Sequence, residues 1–196
     1  MSKPNFIPTH LSSVIKKCKY IQTCTKNKRK DINSLSYLIH STLSQSECIK
    51  LGLCVEHLLH DLIVDNTSFI DIKPKNSKHK KEKDHLFVDE ENKIIYYAEI
   101  KGNLNLDTEK SKATVKKCID IANDLKCDEY TVKWCLVGVR YLSHDQIPNN
   151  IKNKYNDIQH NVIGVNDYLD LLRIQHQFDM DTYVSTLNDI ATIISR

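Results

Sequence analysis

The chain has 196 residues, 40% of them hydrophobic, which suffices for one well-buried core and is short for two. No apolar run approaches a membrane span or a signal-peptide core in length, so the composition predicts a soluble globular protein with no membrane partner. A net charge of +3 is modest, and its distribution says more than its sum. Seven cysteines at irregular spacings, none in a CxxC pair, predict reduced thiols in a cytoplasmic or otherwise intracellular protein.

Residues 1–10, with Pro4 and Pro8, read as a loose arm. Leu11 to Thr25 sets Leu11, Val14, Ile15 and Ile21 among lysines, the pattern of an amphipathic helix. Cys18, Cys24 and the nearby His10 lack the second ligand pair that a zinc site requires. The cluster Lys26–Lys30, with Lys28 and Arg29, is a solvated linker or a phosphate-contacting arm. A second helix is expected from Asp31 or Ser34 through Ser44, and a third from Gln45 to Val64 on Leu51, Leu53, Val55, Leu58, Leu59, Leu62 and Ile63. Glu56 interrupts those apolar positions among His57, His60 and Asp61, and the two histidines read as surface or packing residues. Ser68 to Ile72 reads as a strand. Lys73 to Lys83 is the most basic run, and Lys78, Lys80, Lys81 and Lys83 in it would give a polyanion affinity and steering without reading bases.

Asp84 to Lys101, DHLFVDEENKIIYYAEIK, holds two β-branched and aromatic runs separated by a short polar link, the pattern of an antiparallel hairpin. With an even-numbered loop, Val88 faces Ile95 and Asp84 faces Glu99, while alternation puts Lys101 on the Glu99 side. A loop one residue longer or shorter would separate them. Facing carboxylates repel, and a divalent cation between them relieves the repulsion. Hard oxygen ligands favour Mg²⁺, with Mn²⁺ as a substitute. Such a cation lowers the pKa of a bound water and steadies charge developing on a phosphodiester. The backbone carbonyl of Ile100 offers a further oxygen. Three roles stay open for Lys101: orienting the water, contacting the phosphate, or taking part in proton transfer. Glu91-Asn92-Lys93 repeats the Glu-x-Lys pattern in the polar turn, where it reads as solvated surface. Glu99 instead follows five residues that favour burial, where a carboxylate is costly unless compensated. The competing reading is an edge-strand salt bridge between Glu99 and a lysine.

Gly102 releases the strand, and a helix is expected from Asp107 to about Lys126, with Lys110, Lys112, Lys116 and Lys117 off its apolar face. Tyr130 to Leu142 is a strong strand, parallel to the strand that ends in Glu99-Ile100-Lys101 because a helix crosses between them. Lys133, Arg140, Tyr141 and His144 near its ends are candidates for DNA contacts. A short strand over Asn161–Val165 and helices over Asp167–Gln175 and Asp181–Ser195 complete the chain. No glycine-rich phosphate loop or nucleophile elbow is present, so no organic cofactor is expected.

Asp84, the hairpin and Glu99-Ile100-Lys101 resemble the core of the PD-(D/E)xK nuclease superfamily. The following Asn105 to Lys110 is similar to type II restriction endonucleases in particular, although residue 83 is Lys where the name-giving pattern has Pro. The resemblance covers roughly residues 50 to 140. It implies an α/β fold with an αβββαβ core and a mixed central sheet flanked by helices. It also implies Mg²⁺-dependent cleavage of double-stranded DNA, with Asp84, Glu99 and Lys101 as the functional residues and Glu56, on the preceding helix, as a secondary one. One nuclease domain over 1–196 is expected, with a helical extension (1–45), a catalytic core (50–142) and a C-terminal strand and helices (143–196). A homodimer suits a palindromic site, each copy cutting one strand. The alternatives are a structure-selective repair or recombination nuclease and a non-catalytic DNA- or protein-binding module that keeps the fold.

Overall fold

The computed structural model describes residues 35–39, 43–73 and 82–195. The expected helix over Leu11–Thr25, the basic residues Lys28 and Arg29, and Lys78, Lys80 and Lys81 lie outside the described residues. In chain order the elements are α1 (Gln45–Asn66), β1 (Ile70–Asp71), β2 (His85–Asp89), β3 (Ile94–Lys101), α2 (Thr108–Asp124), β4 (Thr131–Gly138), α3 (Asn149–Lys152), β5 (Val162–Ile163), α4 (Val165–Leu171) and α5 (Met180–Ile194). The chain divides into two compact units, Met1–Leu62 with Phe178–Arg196, and Ile63–Gln177. No helix among the described residues is long and apolar enough to cross a membrane.

In the first unit, the described part of the helix expected before Ser44 is a 3-10 turn at Leu35–Leu38. A reciprocal cap starts α1: Glu47 Oε2 accepts from the Ser44 N–H at 2.6 Å, and Ser44 Oγ accepts from the Glu47 N–H at 3.3 Å. Its buried positions Leu51, Cys54, Val55, Leu58, Leu59 and Leu62 recur every three or four residues, the stripe that drives an amphipathic helix into a core. Asp179 caps α5, which buries Tyr183, Thr186, Leu187, Ile190 and Ala191.

The second unit holds a five-stranded mixed sheet in the order β1-β2-β3-β4-β5. The pairs β1–β2 and β2–β3 are antiparallel, and β3–β4 and β4–β5 are parallel. The link at residues 90–93 is even in length, so Val88 meets Ile95 as expected, and the ladder ends at His85 opposite Ala98. Lys93 closes this turn at φ 53°, and Asp89 fastens it by accepting from the Asn92 N–H at 3.0 Å. β3 is the middle strand of the sheet, paired with β2 as far as Ala98 and with β4 as far as Lys101.

Alternation divides the sheet into two faces. Leu86 and Val88 of β2 with Ile95 and Tyr97 of β3 pack against Cys118 and Ile121 of α2. Leu136 and Val162 extend that layer with Leu104, Val115 and Tyr155. On the other face Phe69 stacks on Tyr96 with ring centroids 5.2 Å apart, and His85 Nδ1 lies 2.9 Å from the Tyr168 hydroxyl of α4. Helices therefore cover both faces.

Several elements are shorter than expected. The strand expected over Ser68–Ile72 is reduced to Ile70–Asp71, because the Phe69 N–H donates to Thr67 Oγ1 and the Lys73 N–H to Asp71 Oδ1, local bonds that compete with the ladder. The strand expected to reach Leu142 ends at Gly138, where the Tyr141 N–H donates to the Gly138 carbonyl and turns the chain. A Cβ added there would lie 2.4 Å from Leu104 Cδ1, so the buried Leu104 side chain would have to shift. Residues 144–161, given no element from the sequence, form short helical turns that carry Ile147, Ile151, Tyr155 and Ile158 into the core.

Candidate active site

The buried run of β3, Ile94 to Ile100, leads into a cluster of charged side chains. Glu99 is 1% exposed, so its carboxylate has lost its water and requires protein donors. Lys101 Nζ lies 2.6 Å from Oε1, and Lys117 Nζ lies 2.8 Å from Oε1 and 2.6 Å from Oε2. The Tyr97 hydroxyl donates to Oε2 at 3.3 Å. Lys101 reaches Glu99 because residues two apart on a strand share a face. Lys117 comes from α2, within the stripe of Thr114, Cys118 and Ile121 that faces the sheet.

Asp84 sits in the bend one step beyond the last ladder pair, and its Oδ2 accepts from the Ile100 N–H at 2.6 Å. Its backbone carbonyl accepts from Lys73 Nζ at 3.0 Å. Burial holds the Asp84 carboxyl above its usual range and the neighbouring Glu99 pushes the same way. The Ile100 N–H, Lys101 and Lys117 pull against them without prevailing. Burial also pulls the Lys101 ammonium down, but Glu99 and Asp84 together outweigh it and the pKa is raised. Tyr97 is pushed up by burial, then by Cys118 and Glu99, so its hydroxyl stays a donor. The buried Cys118 thiol is pushed up to about 11, first by burial and then by Glu99, and stays protonated at neutral pH.

Among the described residues no group of three or more His, Cys, Asp or Glu side chains could hold a metal ion. In a strand the N–H and C=O of one residue point to the same edge, so Ile100, whose N–H meets Asp84, directs its carbonyl to that edge as well. Two mutually repelling carboxylates and a carbonyl form an all-oxygen set that fits a hard divalent cation such as Mg²⁺.

Asp84, Glu99 and Lys101 are the predicted residues that the structure brings together. Lys83 directly precedes Asp84 and is half-buried. Arg140 lies two residues past Gly138, the register partner of Lys101, and so at the same end of the sheet. Its guanidinium stands 5.8 Å from the centroid of the Tyr141 ring. Tyr141 itself is 7% exposed, with its ring in the core beside Leu104 and Tyr155. Lys133 pairs with Tyr96 in the other half of β4, about 17 Å along the strand from Gly138 at roughly 3.3 Å per residue. His144 Nδ1 lies 2.7 Å from the Val162 carbonyl. Glu56 is half-buried on α1, in the first unit.

Lys117 was not picked out by sequence reasoning, which grouped it with the solvated lysines of α2. Its signal is a cation three residues after Thr114 and four before Ile121, inside the buried stripe rather than opposite it. No family model, no curated protein and no solved structure matches the chain, which leaves the geometry and the sequence to carry the functional reading.

Proposed function

We propose that this chain is a Mg²⁺-dependent endonuclease that hydrolyses phosphodiester bonds of double-stranded DNA, on a restriction-endonuclease-like core. We further propose that it acts as type II restriction endonucleases do, as a homodimer on a two-fold symmetric sequence. The observation that carries this reading is the meeting of Asp84, Glu99 and Lys101 at the open end of the β2–β3 hairpin. There Asp84 Oδ2 lies 2.6 Å from Ile100 N, and Lys101 Nζ lies 2.6 Å from Glu99 Oε1. Even with Lys101 and Lys117 beside it, Asp84 is held above its usual range by burial and by Glu99, a folding cost that a cation ligand would explain. The order α1-β1-β2-β3-α2-β4 supports the same reading.

In this reading Asp84, Glu99 and the Ile100 carbonyl would hold Mg²⁺, whose chemistry there would be to activate a water and to neutralise charge on the phosphate. Asp84 is oriented by the Ile100 N–H, and Glu99 by Tyr97 and the two lysines. Lys101, kept charged by both acids, offers its ammonium to the phosphate or to the water. Arg140, at the same sheet end, and the lysine-rich segment before Asp84 supply backbone contacts.

The test is incubation of supercoiled plasmid with the protein and Mg²⁺. Discrete linear fragments are expected, and they should vanish with EDTA, Asp84→Asn or Glu99→Gln. Intact plasmid across Mg²⁺ and Mn²⁺ at low salt would refute the reading. An unresolved smear would keep the chemistry and remove the sequence specificity.

A further inference from the structure

A carboxylate has about four lone-pair sites. All of those on Glu99 are spoken for: Oε1 faces Lys101 Nζ at 2.6 Å and Lys117 Nζ at 2.8 Å, and Oε2 faces Lys117 Nζ at 2.6 Å and the Tyr97 hydroxyl at 3.3 Å. With Glu99 only 1% exposed, no water-facing lone pair remains for an incoming ligand. A cation that binds Glu99 therefore has to displace a donor.

The two lysines are not equivalent in this respect. Both ammonium groups also feel Asp84, but Lys101 contests Oε1 alone and leaves Oε2 untouched. Lys117 contests both oxygens, so a cation landing on either one meets it. Its ammonium sits on a flexible four-carbon stem from a different element, α2, and can withdraw without moving β3. Two ammonium groups and a divalent cation around one carboxylate would repel strongly in a site this dry.

We propose that Lys117 is a fourth residue of the site, a resident counter-ion whose ammonium holds the place on Glu99 that a divalent cation takes. The inference rests on the nuclease reading for the identity of that cation, but not on cleavage. Occupied by Lys117, the metal-free site is electrically balanced, with two acids against two ammonium groups. Metal binding frees one of those groups next to the position proposed for a phosphate.

The experiment is calorimetric titration of the full chain with MgCl₂, without DNA, comparing wild type with Lys117→Met, Lys117→Gln and Lys117→Arg. The methionine keeps the apolar stem, and the glutamine keeps a hydrogen-bond donor but no charge, so it serves if the methionine variant fails to fold. Both neutral variants should bind Mg²⁺ about tenfold more tightly than wild type, a moderate charge effect for a partly buried contact. The arginine variant should stay near wild type, and Glu99→Gln should abolish the heat. Wild-type or weaker affinity in both neutral variants would overturn the inference while leaving the nuclease reading intact. Tighter binding without plasmid cleavage would support it and overturn the nuclease reading. No Mg²⁺ binding in any of the proteins would overturn both.

Discussion

Replacing Asp84 by asparagine should stabilise the metal-free protein and abolish its proposed activity. Asparagine keeps a side-chain oxygen in place, so the Ile100 N–H that now donates to Asp84 Oδ2 at 2.6 Å keeps an acceptor. What disappears is the charge that burial and Glu99 disfavour. A carboxyl whose pKa is raised by folding stabilises fully only below its unfolded value, where it is protonated. That contribution is lost as pH rises through the folded value. Above its folded value the wild type therefore bears the cost of ionising Asp84, and the amide bears none.

Relief of a strained functional group typically returns about 0.5–2 kcal/mol. At this chain length about 1 kcal/mol moves Tm by about 2–4 °C. Thermal melts in EDTA should show Asp84→Asn melting higher at about pH 7.5, with the gap closing as pH falls into the ordinary carboxylate range. Mg²⁺ should reverse the order, because it stabilises only the protein that binds it, by about 2.7 kcal/mol at about 100 times Kd. A variant that melts below wild type in EDTA at about pH 7.5 would refute the reasoning. It would make the Asp84 charge a net stabiliser and the cluster an ordinary ion-pair network.

Lys101→Met should lower cleavage by about 10²–10⁴-fold with Mg²⁺ binding retained, as single-turnover rates and calorimetry would show. Gly164→Ala should destabilise by about 1–3 kcal/mol or more in denaturant titrations, since its Cβ would lie 2.4 Å from the backbone of both Leu142 and Ser143. Replacing Lys78, Lys80 and Lys81 with glutamine should weaken binding to all duplexes alike and flatten the log–log salt dependence by about 0.9 for each phosphate no longer neutralised. An unchanged slope would make them a solvated connector, and a changed cleavage specificity would mean that they read sequence.

The parts of the fold legible in the sequence are those that short-range patterns decide. The hairpin register followed from an even link between two β-rich runs, and with it Asp84 and Glu99 met at one end. The parallel partner of β3 followed from a crossover helix between two apolar runs. Together the hairpin and the crossover put β3 between β2 and β4, as the sheet order has it. What long-range packing decides was hidden. Tyr141 and Leu142 read as the end of a strand because they are apolar, yet they leave the sheet at Gly138 and Tyr141 fills the core beside Leu104. Lys117 escaped notice for a related reason: only the partner across the sheet, Glu99, shows why a cation belongs in an apolar stripe.

The site lies where one strand outlasts its neighbour. Pairing between β2 and β3 stops at His85 and Ala98, while pairing between β3 and β4 continues to Lys101 and Gly138. Ile100 is therefore held in the sheet from one side only, and its N–H on the other side, in a residue 8% exposed, needs an acceptor. Asp84 provides it from the bend, at 2.6 Å, and the same bond fixes its carboxyl beside Glu99. The fold thus places the first acid by satisfying a backbone donor, and the second by running a buried strand on to Glu99. Two substitutions that look alike should then differ. Asp84→Ala removes the charge but leaves the Ile100 N–H unpaired, a loss of about 1–3 kcal/mol; Asp84→Asn removes the charge alone. Both should lose Mg²⁺ binding, yet in EDTA the alanine variant should melt below the asparagine variant. Equal melting temperatures would mean that the Ile100 bond contributes nothing to folding and that the placement of Asp84 has some other cause.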